Sequence, residues 1–349
     1  MSGDFSVIEG EYLRDILDQP RALDSTFSMI GASKELRQLA GRLQKGNFKS
    51  IVLTGMGSSF HALHPLHLEL TQAGFHSAMV ESSELIHYQA RLFDRKNLIV
   101  AVSQSGRSAE VVRLLKSNRR RAAIIGVTNS PESPLAKNSE ASVVTNAGEE
   151  FSVSCKTYLT SLLALRWLAE VMCGRDLGRI RRDLKSASAS AAEYLAGWRN
   201  HVQQLSERLR NIRQLFLVGR GSSLAAVGTG ALIVKEADHF PAEGMSSAAF
   251  RHGPFEMVGS DTFVAVFAGE KRTRELNRGL FHDIRERQGE SEWIGEDSNF
   301  APCLLPSAPR SVMPVLEILP VQMITLALAA LAGREAGRFT FCSKVTTKE

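Results

Sequence analysis

Cysteine is scarce. The four residues (Cys155, Cys173, Cys303 and Cys342) are scattered with no CxxC pair, which argues against a disulfide framework or a thiolate zinc cluster and leaves reduced thiols as the expectation. Aromatic residues are few at 7% and the net charge is only +5. A surplus of that size speeds the approach of a small anionic substrate as readily as that of a polyanion, so the densest basic run, Lys116 to Arg121, does not call for a nucleic-acid partner. No window reads as the roughly 18 to 20 uninterrupted apolar residues that span a bilayer, and the start MSGDFSVIEGEYLRD lacks the basic-then-apolar order of a signal peptide. The expectation is a cytoplasmic protein with no membrane partner. What is present, 349 residues with 44% hydrophobic and 23% charged side chains, suits a globular protein of two domains.

The order of apolar runs is informative. Tyr12 to Ala22 reads as an amphipathic helix broken by Pro20, and a second helix is expected over Ser33 to Gln44. Ser50 to Thr54 is a short β-branched run that ends in Gly55-Met56-Gly57-Ser58-Ser59 and leads into a long apolar stretch, the pattern of a buried parallel strand turning into a helix. Further strands are expected at Ala78 to Glu81, Leu98 to Ser103, Ala122 to Thr128 and Ser142 to Val144, with helical segments between them. That alternation predicts βαβ units and a parallel sheet. A helix from Lys156 to about Cys173 closes the unit, and the charged, Ala- and Ser-rich stretch from Gly174 to Arg210 reads as connecting helices.

A repeat follows. Leu215 to Ser223 (LFLVGRGSS) restates Val52 to Ser59, with Gly219 lying 164 positions after Gly55. Thr262 to Phe267 matches the strand Leu98 to Ser103 but ends in Ala-Gly-Glu where the first half has Ser-Gln-Ser-Gly. A glycine turn at the carboxyl end of a strand offers backbone N–H groups to an anion. Ser103-Gln104-Ser105-Gly106-Arg107-Ser108 adds hydroxyls and an amide that can hold a phosphate through neutral donors. The plainer alternative is a polar strand-to-helix turn with Ser108 as an N-cap. A nicotinamide site fits less well, because GMGSSF and GRGSSL lack the third glycine of the dinucleotide fingerprint and no acidic residue ends a second strand at the usual distance.

These residues resemble the SIS (sugar isomerase) domain family. The likeness is to its tandem form, found in the isomerase half of glutamine:fructose-6-phosphate amidotransferase and in amino-sugar phosphate deaminases and fructosamine phosphate deglycases. The carriers are GMGSS, SQSG, TNAGEEFSVSCKTY (Thr145 to Tyr158), KEADHFPAEGMSSAAFRHGP (Lys235 to Pro254) and the tail SKVTTKE (Ser343 to Glu349). The resemblance implies an α/β protein of two SIS domains, each a parallel sheet in an αβα sandwich of flavodoxin-like type. The expected bounds are a helical segment over 1–34, a first domain over 35–174, a connector over 175–210, a second domain over 211–333 and a tail over 334–349 folded across the active site.

It further implies that Gly57, Ser58, Ser59, Ser103, Gln104, Ser105 and Ser108 hold a sugar 6-phosphate, with Val153 lining the pocket through its backbone. Glu236 would move a proton between sugar carbons 1 and 2, His252 would help open the ring, and Lys344, with Lys348 as a near alternative, would form a Schiff base with the open-chain ketose. Chemistry agrees with the first of these roles, since aldose–ketose interconversion needs one base that reaches two adjacent carbons. A surface glutamate paired with Lys235 or Arg251 is the alternative for Glu236, and a helix-capping histidine the alternative for His252.

Ser2 stands where the amidotransferase carries its N-terminal cysteine, so glutamine hydrolysis is not expected. The expected activity is isomerisation of an amino-sugar 6-phosphate coupled to deamination or to amine release, with no metal or organic cofactor, in a homodimer that shares its active sites. His61, His64 and His67 spread around a presumed helix and make no metal site. Arg107 and Ala249 stand where the family often has acidic residues, which hints at a substrate with an extra carboxylate. The rival from another class is a non-catalytic sugar-phosphate sensor, against which stand the presence of Glu236 and His252 and the lack of a recognisable helix-turn-helix at the N-terminus.

Overall fold

The computed structural model describes residues 5–341 and 343–346, and leaves Cys342 and Lys348 outside the described residues. They fall into two compact lobes. The first takes in residues 21–149, 156–186 and 343–346, and the second 5–20, 150–155 and 187–341.

In the first lobe five strands form one parallel sheet: β1 (Ser50–Gly55), β2 (Ser77–Glu81), β3 (Asn97–Val102), β4 (Ala123–Thr128) and β5 (Ala141–Val144), in the order β2-β1-β3-β4-β5. β3 and β4 are buried at every residue, as strands covered by helices on both faces must be, and this is why their sequences run apolar without alternation. One core gathers Val52, Ile99, Val111, Leu114, Ile124 and Leu135. The helix Lys156–Met172, buried along nearly its whole length, packs with Lys34–Gln44 and Leu63–Gln72. Ser33 caps Lys34–Gln44 by accepting the Leu36 N–H at 3.1 Å.

The second lobe repeats the plan with four parallel strands, β6 (Gln214–Gly219), β7 (Ala242–Ser246), β8 (Thr262–Phe267) and β9 (Glu290–Ile294), in the order β7-β6-β8-β9. Its core joins Phe216, Val218, Phe250, Val264, Val266, Leu280 and Trp293. Both lobes are the expected αβα sandwiches. The expected N-terminal helix is indeed interrupted: it becomes Glu11–Leu17 and Gln19–Met29, with Pro20 in the first turn of the second piece, where its missing N–H is tolerated.

One expectation needs refining. Met313–Ala332, although interrupted by Glu317 and Gln322, has a mean hydropathy of 2.0 over a length that could span a bilayer. The segment is 83% buried inside the protein and bends into the helices Met313–Leu316 and Leu319–Ala332, the second packed on Trp198–Leu209 and Leu224–Asp238. It is apolar all round because protein surrounds it. Its buried Gln322 exchanges amide hydrogen bonds with Gln19 at 2.9 and 3.0 Å.

Glu317, between the two pieces, is the exception to the apolar run, and burial pushes its carboxyl from an ordinary 4.5 up to about 7. Between those values the folded chain holds a proton that the unfolded chain has released, so stability falls as pH rises through this window and levels off above it. Glu317→Gln is expected to remove that loss. Denaturant unfolding at pH 5 and pH 8 should show the variant gaining about 3 kcal/mol on the wild type between the two.

Candidate active site

β1 and β3 are neighbours whose connections leave on opposite sides, which makes the gap beyond their carboxyl ends the topological switch point where open α/β sheets bind ligands. Both sequence-marked turns start there. A Cβ on Gly55 would meet the Val102 carbonyl at 3.0 Å, so the two turns leave the sheet side by side. After β1, Gly57 adopts φ +53° and opens a short helix with Ser58 and Ser59. Ser58 is buried and Ser59 half-buried.

After β3 the loop is organised by its own hydroxyls. Ser103 Oγ accepts the Gly106 N–H at 3.1 Å, Ser105 Oγ accepts the Arg107 N–H at 3.3 Å, and Ser108 Oγ accepts the Val111 N–H at 3.5 Å as the N-cap of Ala109–Asn118. Ser108 is therefore a cap, and the two readings of it are compatible. A hydroxyl whose lone pair is taken by a backbone N–H keeps its own hydrogen to donate, so three serines are set up as donors to an anion. The loop is tied to β4, with the Gln104 carbonyl accepting from Asn129 N–H at 3.0 Å and Thr128 Oγ1 at 3.1 Å. The Gln104 side chain is half-buried. Arg107 is exposed and donates to Ser130 Oγ at 3.3 Å.

The tail reaches the same lobe. The Thr346 carbonyl accepts the Ala109 N–H at 3.0 Å, filling one first-turn donor of the helix that Ser108 caps, and Lys344 is half-buried two residues earlier.

Val153, Glu236 and His252 belong to the second lobe. Glu236 is half-buried on Leu224–Asp238, two residues from its end. Val153 is fully buried, and its segment is fastened at both ends: Cys155 N–H donates to Glu150 Oε1 at 2.9 Å, and Ser152 Oγ donates to the Gly337 carbonyl. Gly337 N–H in turn donates to the Ala237 carbonyl at 3.2 Å, so one residue links the Val153 segment to the helix end that carries Glu236. Tyr12 packs on Gly337, and its phenol, bonded to Thr325 Oγ1 at 3.2 Å, is pushed well above 10 by burial, with the acidic groups of Cys155, Asp238 and Glu236 nearby opposing its ionisation. Burial likewise raises the Asp238 carboxyl well above its ordinary range, opposed by Arg334. Sequence reading missed Tyr12, Asp238 and Gly337. Asp238 alone carried a signal, an acid two residues beyond Glu236 in an otherwise apolar helix.

His252 is exposed and follows the capped helix Ser247–Arg251, its N–H bonded to the Ala249 carbonyl at 2.9 Å. The second lobe does not bring it to Glu236. Leu224–Asp238 runs from the carboxyl end of β6 back to the start of β7, which puts Glu236 about 20 Å along the helix toward the amino edge of the sheet, whereas His252 follows the carboxyl end of β7. Arg251 is engaged by Asp283 at 2.5 Å.

Among the described residues no group of three or more His, Cys, Asp or Glu could hold a metal ion. His61 and His64 stack with ring centroids 6.4 Å apart, and burial lowers His64 to about 4. Cys155, Cys173 and Cys303 form no disulfide, and the Cys155 thiol donates to Glu150 Oε1 at 3.5 Å.

A doubly wound α/β protein, duplicated, with serine-lined turns at the first switch point, is what the fold and these turns define. The profile of the SIS domain matches residues 46–171 and 208–295, and the chain belongs to the SIS domain family. It is 27% identical over 348 residues to the glutamine–fructose-6-phosphate aminotransferase (isomerizing) of Pyrococcus horikoshii, covering 97% of this chain and 57% of that protein. The chain thus spans just over half the length of the curated relatives it matches. In fold it is similar to the C-terminal domain of glucosamine-fructose-6-phosphate aminotransferase from Francisella tularensis (TM-score 0.83, 22% identity, 94% of this chain and 98% of that one). It is also similar to glucosamine-6-phosphate deaminase from Thermotoga maritima (TM-score 0.78, 19% identity, 97% and 100%).

Proposed function

We propose that the protein is a cytoplasmic phosphosugar isomerase acting on an amino-sugar 6-phosphate, coupling aldose–ketose interconversion to release of ammonia or of a larger amine. The observation that carries this reading is the pair of adjacent turns beyond β1 and β3, where three serine hydroxyls already accept backbone N–H groups and so face a ligand as donors. The phosphate is held by Ser58, Ser59, Ser103, Ser105 and Ser108 with Gln104 and the Gly57 turn, and Val153 lines the sugar. His252 assists ring opening by passing a proton to the ring oxygen. Glu236 as carboxylate takes the proton from one of carbons 1 and 2 of the open chain and returns it to the other, which turns the amine-bearing carbon into an imine without net change in protons. Lys344 Nζ adds to that imine carbon and displaces the ammonia or amine, and water then hydrolyses the lysine imine to the sugar carbonyl and frees Lys344. No metal or organic cofactor enters these steps.

Glucosamine 6-phosphate and fructosamine 6-phosphate conjugates, offered side by side, test the reading. Turnover of one of them supports it, and tight binding without turnover of any of them favours the sugar-phosphate sensor instead.

The position of Glu236 and His252 at opposite edges of one sheet supports a homodimer in which each site takes His252 from the neighbouring chain. Mixing inactive Glu236→Gln chains with inactive His252→Ala chains is then expected to restore about a quarter of wild-type activity, because half the dimers are mixed and each has one intact site. No recovery after confirmed subunit exchange would contradict the shared site.

A further inference from the structure

The second lobe repeats the first lobe's cradle in its turn geometry as well as in its sequence. Met56 (φ −128°, ψ 149°) and Arg220 (φ −141°, ψ 159°) lead into Gly57 and Gly221 at φ +53° and +62°. Gly106 and Gly269 take φ +60° and +67° after the neighbouring strands β3 and β8. Ser223 stands 164 positions after Ser59, and by the same spacing Glu317 stands where the first half has Val153.

The difference is what each serine meets. Ser223 is fully buried and its hydroxyl donates to Glu317 Oε1 at 2.6 Å. That is a short hydroxyl–carboxyl hydrogen bond. Glu317 is 7% exposed, and its Oε2 has no hydrogen-bond partner among the described residues. A carboxyl placed there for packing alone would leave a buried polar atom unsatisfied at a cost of about 1–3 kcal/mol. Arg220, inside the turn, also has a buried Nε without a partner, and Glu270, three residues after β8, is paired with Arg272 at 3.2 Å and with Arg310 while its charge still adds to burial in raising the Glu317 carboxyl.

We propose that the second lobe holds a second phosphate cradle that the chain closes with its own Glu317 carboxyl, so that each chain binds one phosphate group and gains a second site when that carboxyl is removed. The proposal rests on the reading that the cradle beyond β1 and β3 takes a phosphomonoester. Burial and the charge of Glu270 raise the Glu317 carboxyl to about 7 against the single hydrogen bond from Ser223, so this group is held by one serine and otherwise unsupported.

Equilibrium dialysis of the full chain against radiolabelled inorganic phosphate tests it. Wild type is expected to retain one equivalent per chain, Glu317→Ala two, and Glu317→Ala with Ser223→Ala one again. Should Glu317→Ala not fold, Glu317→Ser makes the same comparison with a polar group left beside Ser223. Equal stoichiometry in wild type and the folded single variant overturns the proposal. None in wild type but one in the variant overturns the first-lobe reading and leaves this one standing.

Discussion

Glu236→Gln is expected to lower turnover by about 10²–10⁴-fold while leaving the binding of a sugar 6-phosphate within a few-fold of wild type. The amide keeps the size and hydrogen-bonding shape of the carboxyl but cannot take a proton from carbon. Glu236 is half-buried near the end of an apolar helix, in a lobe whose Tyr12 and Asp238 are both buried, so the exchange should disturb packing little. Steady-state turnover together with phosphosugar binding by calorimetry checks this. A loss confined to binding, or no loss at all, would remove Glu236 from the chemistry.

Gly106→Ala should have the second large effect. A Cβ there would lie 2.3 Å from Ser133 Oγ and 2.8 Å from Thr128 Oγ1, and the backbone sits at φ +60°, where an alanine is strained. Ser133 cannot swing aside cheaply, because its Oγ accepts the Ala136 N–H at 3.2 Å as the cap of Pro134–Asn138. Crowding and strain together are expected to cost about 2–4 kcal/mol. The loop that moves is the one whose Ser103 Oγ holds the Gly106 N–H, so phosphate affinity should fall with stability. Chemical denaturation and phosphate binding measured on the same variant test both parts.

Much of this was legible in the sequence, for a physical reason. β1, β3, β4, β6 and β8 are central strands covered on both faces, so they appear as unbroken apolar runs bounded by glycine turns. The edge strand β7 (AEGMS) is half-exposed and carries no such run, and β9 (ESEWI) hides behind glutamates, one of which, Glu292, is nonetheless buried. Both escaped notice. The serine cradle was visible because its residues are contiguous in two turns. The link from Ser152 through Gly337 to Ala237 was not, since it joins three distant segments by backbone groups that have no sequence signature. Met313–Ala332 was misjudged because a single glutamate and a glutamine mask an apolar segment, Gln322 being answered by Gln19 and one oxygen of Glu317 by Ser223 inside the fold.

The direct test of the central claim is a crystal structure of the protein with a bound sugar 6-phosphate. The phosphate oxygens are expected within hydrogen-bond distance of Ser59, Ser105 and Ser108, on the turns that follow β1 and β3. A sugar phosphate seated away from those three hydroxyls would contradict the account.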